Sequence, residues 1–293
     1  MRLLGMCDLH CSYDRPRNRT DNWLEAIQNK LNQIVQIYKE NKCDATICAG
    51  DIFEKHHNTE LDYFFTMIYY FFASMNSYTA IGNHCSKSTS GDLSNTTLGA
   101  LVSAGAIKVN DRDVCVDFFD FYNRNSFYET KNSKNRIAII HDYITPQKQT
   151  FPFETHSFDD LENPYDLVIA GHLHTPLDYT RKDGKRLYNS GCVLRRTIAE
   201  THSPKVFILD TETLEIKEIF LNVKPFEEVF KAKVEDKIVH LATDIISQIE
   251  QDNQYNGLSI EQRIEAFANE RKTIETVTKE SLKRLAQAKQ KIS

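Results

Sequence analysis

Short apolar runs of strand length recur along the chain, and segments of helical periodicity separate several of them. Five runs are rich in Ile, Val, Leu, Tyr or Thr, and they cover residues 2–7, 45–49, 77–81, 136–140 and 166–170. Nearly continuous apolar character is typical of strands that are buried on both faces. We therefore predict a sheet that is covered by helices.

Helical patterns fall between the strand-like runs. Residues 20–40 carry Trp23, Ile27 and further apolar residues at spacings of three and four, which is the periodicity of one helix face. Residues 59–75 and 93–104 predict two more helices. The alternation of strand and helix predicts α/β layers.

The later part of the chain turns to β structure. Residues 177–181 and 185–189 flank an Asp-Gly pair, which is a strong signal for a hairpin turn. Residues 205–210 and 214–221 flank a second turn. A mixed sheet or a two-sheet sandwich with outer helices accommodates all of these elements.

The composition changes near residue 222, and we predict a domain boundary there. The first domain covers residues 1–221, and residues 222–293 form a C-terminal helical segment with no Trp, one Gly and one Pro. Apolar stripes predict helices over residues 236–251 and 259–289. Such a helix pair can pack on the core of its own chain or dock another chain.

A polar motif follows each of the five strand-like runs. The motifs are Asp-Leu-His, Gly-Asp, Gly-Asn-His, a single His and Gly-His-Leu-His, and they contain Asp8, His10, Asp51, Asn83, His84, His141, His172 and His174. Ligands of open α/β sheets bind outside the carboxyl ends of strands, so these motifs are expected at one sheet edge. Each motif alone is common by chance, but five in this order indicate one site.

The residue types in these motifs predict a metal centre. Histidine nitrogens together with Asp and Asn oxygens suit manganese, iron or zinc. Asp8 and His10 project to the same side of an extended segment because side chains of a strand alternate. The carboxylate of Asp51 can bridge two cations. Two metals roughly 3.5–4 Å apart can clamp a phosphate and activate the attacking water, so the motifs predict a phosphoester hydrolase.

Taken together, the five motifs resemble the signature of the calcineurin-like metallophosphoesterases, over about residues 1–200. Within that superfamily the chain is similar to the SbcD-type nucleases, the bacterial and phage relatives of the eukaryotic meiotic-recombination nuclease. Residues 50–54 (GDIFE) are similar to the GDIFD block of that subfamily. Residues 188–193, followed by Arg195, Arg196 and Glu200, are similar to its Y-x-GS block.

The resemblance implies a fold and a role for each motif residue. The fold is a four-layer metallophosphoesterase sandwich of mixed β-sheets flanked by helices, with a small C-terminal helical extension. We expect two divalent metal ions, most readily manganese. The resemblance implies that Asp51 bridges the two metals. It also implies that the first metal is held by Asp8, His10 and His174, and the second by Asn83, His141 and His172.

The resemblance also implies that His84 is catalytic. It would orient the phosphate or protonate the leaving oxygen, a role that suits an imidazole. The family usually has Asp after Gly-Asn-His, whereas this chain has Cys85. The sequence therefore does not identify the group that orients His84. Another branch often has a His where this chain has Glu54; His56 and His57 lie nearby, and we expect them to be exposed loop residues.

DNA is the substrate that the resemblance implies, and basic residues near the motifs give it local support. They are Arg15, Arg17, Arg181, Arg195 and Arg196. Such residues can contact phosphates near the metals, but they can equally be solvated surface. The net charge of −5 does not indicate a nucleic-acid binder, although bound divalent metals would add positive charge at the site.

The resemblance implies two protein partners. SbcD-type nucleases work with a coiled-coil ATPase of the SbcC type, which we expect to dock on the C-terminal helices. The chain lacks a Gly-x-x-x-x-Gly-Lys-Ser/Thr motif, so the ATPase must be a separate subunit. Residues 63–72 hold too many large apolar side chains for one buried helix face, and we expect a homodimer.

Two alternatives remain open at this point. One is a phosphodiesterase or phosphatase of the same superfamily that acts on a small molecule or a cyclic nucleotide. The other is a non-catalytic scaffold subunit with a vestigial site. The complete set of ligands together with His84 favours an enzyme.

Composition indicates a globular protein with reduced thiols. Of 293 residues, 41% are hydrophobic and 26% charged, and no run of 18 apolar residues predicts a membrane span. The polar residues of MRLLGMCDLH argue against a secretory signal, so we expect a cytoplasmic protein. Seven cysteines, an odd number, argue against a disulfide framework. Cys7, Cys11, Cys48 and Cys85 are expected to be small buried residues, the alternative being a redox-sensitive site.

Overall fold

Thirteen strands and five α-helices form the part of the chain that the computed structural model describes, which is residues 1–56, 62–87, 91–109, 114–150, 154–230 and residue 262. The strands are β1 (Arg2–Met6), β2 (Ala45–Cys48), β3 (Ser77–Thr79), β4 (Lys108–Val109), β5 (Asp117–Phe119), β6 (Ile137–His141), β7 (Ile144–Thr145), β8 (His156–Ser157), β9 (Leu167–Gly171), β10 (Leu177–Thr180), β11 (Arg186–Asn189), β12 (Lys205–Asp210) and β13 (Ile216–Phe220). The helices are α1 (Trp23–Glu40), α2 (Asp62–Ala73), α3 (Thr97–Ser103), α4 (Asn125–Glu129) and α5 (Phe226–Val229), with a 3₁₀ turn at Phe121–Asn123.

Two mixed sheets carry the fold. The first has the strand order β13-β12-β1-β2-β3-β4, and the second has the order β10-β11-β9-β6-β5. In the first sheet β1 to β4 are parallel, and β12 of the β12–β13 hairpin pairs antiparallel with β1. In the second sheet β5, β6, β9 and β11 are parallel, and β10 is the antiparallel edge strand.

The strand alternation explains why the sheets stack. Leu3 is buried in a cluster shared by both sheets, together with Ile139 and Ile169 of the second sheet. The next residue, Leu4, points to the opposite face and packs in a separate cluster with α1, α2 and α3. Side chains of a strand alternate between faces, so a buried strand of the first sheet contributes side chains to two hydrophobic clusters, one on each face. The outer face of the second sheet packs against Phe127 of α4 and Phe158.

The predicted fold class is confirmed, with several element boundaries shifted. All five apolar runs form strands, namely β1, β2, β3, β6 and β9, and both predicted hairpins are present. Helix α1 begins at Trp23 rather than residue 20 because the Asn22 side chain caps it, accepting a hydrogen bond from the Glu25 amide at 3.3 Å. Helix α3 begins at Thr97 because Thr96 caps it in the same way.

Residues 222–230 are the described part of the predicted C-terminal segment. They pack on the core, since Val229 and Phe230 form a small cluster with Ile198, and the Thr20 amide donates to the Val229 carbonyl at 2.9 Å. The predicted helices at 236–251 and 259–289 lie outside the described residues, apart from Gln262. Among the residues that are described, no helix is long and apolar enough to cross a membrane.

Candidate metal centre

The carboxyl ends of five parallel strands meet at one place, three from the first sheet and two from the second. They bring together the side chains that the motifs predicted. Potential ligand atoms lie within 4.8 Å of one another in four groups within the described residues. Three of them overlap at the motifs, namely Asp8–His10–His174, Asp51–His141–His172 and His10–Asp51–His84, and the fourth joins His174 to Cys192 and Glu200. Asp8, Asp51 and His141 are buried, whereas His172 and His174 are partly exposed, so solvent reaches part of the site.

The backbone at the strand ends is strained in a way that aims these side chains inward. Asp8, His10, Asp51 and His172 have φ angles of 46°, 48°, 42° and 80°, in the left-handed region that residues with a side chain avoid. Each such residue costs roughly 1–2 kcal/mol. Strain of this kind clusters at functional sites, where the surrounding structure holds it.

Gly82 is required by close packing rather than by its backbone angle. A Cβ atom at this position would lie 2.0 Å from Oδ1 of Asp51 and 2.4 Å from the Asp51 amide nitrogen. Only glycine therefore lets the Gly-Asn-His turn approach the Gly-Asp turn.

The first group contains an unusual contact between two imidazoles. Nε2 of His10 and Nε2 of His174 lie 2.9 Å apart. Nδ1 of His10 is 2.8 Å from a Glu54 carboxylate oxygen, and Nδ1 of His174 is 2.7 Å from a Glu200 carboxylate oxygen. Because each Nδ1–H donates to a glutamate, both Nε2 atoms face the same point. Glu200 outweighs burial and raises the pKa of His174 to about 9, so a proton occupies the contact until a cation displaces it. A cation between the nitrogens fits this arrangement.

The second group repeats the pattern around His141. Nδ1 of His141 donates to the Ala49 carbonyl at 2.7 Å, which leaves Nε2 to face the site. Nε2 lies 3.1 Å from Asn83 Oδ1, 3.1 Å from His172 Nδ1 and 3.1 Å from Asp51 Oδ2. Nε2 of His141 thus faces three polar atoms at one distance, and a metal ion can be shared by all four groups.

Asp51 lies between the two groups. Its Oδ2 is 3.1 Å from Nε2 of His141 and 3.7 Å from Nε2 of His10. Its Oδ1 accepts a hydrogen bond from the His84 amide at 3.0 Å. Burial alone would raise the pKa of this carboxyl, but the charges of His141 and His84 outweigh burial and hold the pKa well below its usual range. The carboxylate form is the one a bridging ligand needs.

His84 is oriented by the backbone of Glu54. Nδ1 of His84 lies 2.8 Å from the Glu54 carbonyl oxygen, and its ring centroid is 5.0 Å from that of His10. This carbonyl is the orienting group that the sequence did not identify. Cys85 is itself buried, and burial raises the pKa of its thiol.

Two glutamates support the centre from behind, and the motif analysis assigned neither to it. Glu54 accepts from His10 and pairs with the Arg196 guanidinium. Glu200 is buried and accepts from His174, from the Thr197 amide at 2.9 Å and from the Arg196 amide. The sequence does offer a signal for each of them. Glu54 is the last residue of the GDIFE block, and Glu200 comes shortly after the Y-x-GS block.

The arginines that were predicted to contact DNA lie in different surroundings. Arg15 and Arg17 are exposed on the loop after the first motif, and Arg196 lies at the centre through its pair with Glu54. Arg195 is buried elsewhere, with a nitrogen donating to the Lys224 carbonyl at 2.8 Å. Arg181 is tied to its own hairpin by Asp183 at 2.7 Å.

The remaining polar residues near the motifs are in ordinary surroundings. His56 is exposed, and His57 lies outside the described residues. Cys7 and Cys11 are fully buried, and burial raises the pKa of each thiol to about 12. Cys48 is also buried. These thiols are therefore protonated at neutral pH and behave as small apolar residues.

The sequence model of the family described as Calcineurin-like phosphoesterase matches residues 1–176, which include every predicted metal ligand. No curated protein sequence matches the chain.

Solved structures with a similar fold include three enzymes. Yfce, a phosphoesterase from E. coli, has 13% identity and a TM-score of 0.37, covering 76% of this chain and 100% of that one. A dimetal phosphatase from Danio rerio has 12% identity and a TM-score of 0.43, covering 76% and 99%. A 5'-nucleotidase precursor from Thermus thermophilus has 12% identity and a TM-score of 0.42, covering 84% and 59%.

Proposed function

Because the chain belongs to the calcineurin-like phosphoesterases, we propose that its metal-dependent phosphoester hydrolysis is directed at DNA, with manganese as the metal. In this proposal the protein is the nuclease subunit of an SbcC/SbcD-like complex in DNA recombination, repair or replication. The metal centre serves any member of the family, so the choice of DNA rests on other residues.

The observation that carries the proposal is the position of Glu54 and Glu200. Glu54 ends the GDIFE block, and Glu200 closes the segment that follows the Y-x-GS block, and these blocks carry the resemblance to SbcD-type nucleases. Both glutamates contact the centre, holding His10 and His174 respectively. Residues that hydrogen-bond to metal ligands orient those ligands and change the affinity of the site for the metal. The two blocks that resemble the subfamily therefore contribute residues to the metal centre.

The residues of the centre divide the work of phosphodiester hydrolysis. When bound, two divalent cations would supply positive charge to the phosphate and make a water a better nucleophile. Asp8, His10 and His174 would hold one cation, Asn83, His141 and His172 the other, and Asp51 would contact both. His84, fixed through Nδ1 by the Glu54 carbonyl, presents its other nitrogen to the phosphate or the leaving oxygen. Arg196 provides a further positive group beside Glu54.

Digestion of end-labelled single- and double-stranded DNA tests the proposed substrate. Reactions with manganese, with and without a partner ATPase, are run beside a small chromogenic phosphodiester and a phosphomonoester. We expect DNA to be cleaved and EDTA to stop cleavage. Rapid hydrolysis of a small ester with intact DNA would favour the small-molecule phosphodiesterase or phosphatase. No turnover of any substrate would favour the scaffold.

We extend the proposal to an ATPase partner of the SbcC type. Its docking surface would be the helices predicted at 236–251 and 259–289, which lie outside the described residues. Deletion of residues 236–293 is expected to abolish ATPase binding and to spare manganese-dependent cleavage of short DNA. Retained ATPase binding would place the docking surface elsewhere.

We also propose a homodimer that forms through α2. Tyr63 and Tyr70 on this helix are 59% and 67% exposed, and they line a groove between α1 and α2 together with Leu31 and Met67. Exposed aromatic groups beside a groove are typical of an interface. Sedimentation should show that Tyr70→Glu dissociates the dimer while Phe220→Glu, at a similarly exposed ring on β13, does not.

A further inference from the structure

A cavity between the beginning of α1 and residues 222–224 lies apart from the metal-centre residues. Its volume is about 60 Å³, and the lining includes Arg19, Lys30, Arg195 and Lys224. Asp21 and Glu25 are the acidic residues in the lining, so positive side chains outnumber negative ones by two. None of these residues is a ligand candidate of the centre.

Lys30 is the decisive residue of this cavity. It lies on α1 with only 3% of its surface exposed, and within the described part of the chain its ammonium group has no hydrogen-bond partner. A buried ammonium without an anionic partner is costly. Burial, together with Arg19 and Arg195, lowers the pKa of Lys30 to about 7.

Arg195 adds a second incompletely paired cation. The residue is 4% exposed, and its buried Nε has no hydrogen-bond partner in the described structure. One terminal nitrogen donates to the Lys224 carbonyl at 2.8 Å. Arg19, in contrast, is held by Asp21 through contacts of 2.9 and 2.6 Å. The Asp21 charge also acts on Lys30 and Arg195, but burial and the neighbouring cations outweigh it and the pKa of each remains lowered.

We propose that this cavity is a binding site for one tetrahedral oxyanion of the phosphate or sulfate class, held by Lys30 and Arg195. The size agrees with that ligand, because roughly 10–15 Å³ accommodates one water-sized group and the cavity therefore has room for about five. A phosphate ion has five heavy atoms, whereas a nucleoside is too large to enter with its phosphate. The ion would join α1 to the segment that leads into residues 231–293.

The anion could be free phosphate or a terminal phosphate group that reaches in from a larger molecule at the surface. Thermal unfolding of the full chain separates these sources when inorganic phosphate, sulfate and a nucleoside monophosphate are compared at equal ionic strength. A shift with the two inorganic ions identifies a free-ion site. A shift with the nucleoside monophosphate alone identifies a site for the phosphate group of a larger ligand. Either result supports the oxyanion site.

Lys30→Met tests the residues, and Lys39→Met, at a more accessible position of the same helix, is the matched control. A hundredfold excess over Kd should raise Tm by roughly 5 °C in wild type and in the control. Lys30→Met should show no shift, and its Tm without anion should equal or exceed that of wild type because an unpaired buried charge is gone.

The metal centre must be excluded as the source of the shift, since phosphate can bind there too. Each measurement is therefore made with manganese and again with EDTA. A shift that disappears with EDTA, or that is the same in wild type and Lys30→Met, overturns the proposal. If Lys30→Met does not fold, equilibrium dialysis of labelled phosphate against wild type in EDTA decides, and absence of binding overturns it.

Discussion

Nε2 of His10 lies 2.9 Å from Nε2 of His174, although the other nitrogen of each ring already donates to a glutamate. Two lone pairs at this distance repel each other unless a proton or a cation stands between them. Burial lowers the pKa of His10 to about 4, whereas the hydrogen bond and charge of Glu200 outweigh burial and raise the pKa of His174 to about 9, so His174 holds a proton when no cation is bound. A metal ion would displace that proton and take both lone pairs, so the contact fits half of a metal coordination sphere.

Glu200 is predicted to set the metal affinity of this half-site. Glu200→Gln removes the carboxylate that fixes His174 through Nδ1, and the loss of such a partner weakens metal binding roughly 10–100-fold. Manganese titration by calorimetry measures the change. Glu215→Gln, at an exposed position, is the matched control and should bind manganese like wild type. Equal affinity of Glu200→Gln and wild type would mean that Glu200 does not act through the metal.

His84 is predicted to serve the chemistry rather than metal binding. His84→Ala should retain both metals and lose most nuclease activity, by roughly 10²–10⁴-fold for a group that transfers a proton. The metal content and the rate of DNA cleavage are measured on the same preparation. Unchanged turnover would remove His84 from the mechanism, and loss of a metal would make it a ligand.

Gly82 is predicted to be essential for the position of Asp51. In Gly82→Ala the new Cβ would lie 2.0 Å from Asp51 Oδ1, so the carboxylate must move and metal binding should fall sharply. Gly105→Ala is the comparison, because Gly105 has a φ of 71° and a Cβ added there would meet nothing within 4 Å. It should lower stability by about 1 kcal/mol and leave activity intact. Equal activity of both variants would show that the Gly82 turn adjusts freely.

The strand framework and the ligand positions followed from the sequence for a physical reason. Each ligand motif comes directly after a buried apolar strand, and parallel strands of one sheet end at the same edge. Once the strands form, the positions of Asp8, Asp51 and His141 are set within a few residues. Short elements such as β4, β7 and β8 were not predicted, because two residues carry too little periodicity.

The partners of the ligands could not be predicted in the same way. His174 and Glu200 are 26 residues apart, and the β10–β11 hairpin together with the irregular loop after it brings them together. Arg195 and Arg196 are neighbours in the chain, yet the first is buried beside Lys30 and the second pairs with Glu54. Which of two adjacent side chains faces a site depends on loop conformation, and the sequence does not encode that in any local pattern.

The metal content of the purified chain tests the two-metal centre most directly. Equilibrium dialysis against manganese, followed by elemental analysis, should give about two metal ions per chain, as expected for a site that clamps a phosphate between two cations. His141→Ala should lower this number, because Nε2 of His141 lies 3.1 Å from Asp51 Oδ2, Asn83 Oδ1 and His172 Nδ1. A wild-type chain that binds one ion or none under saturating manganese would contradict the account.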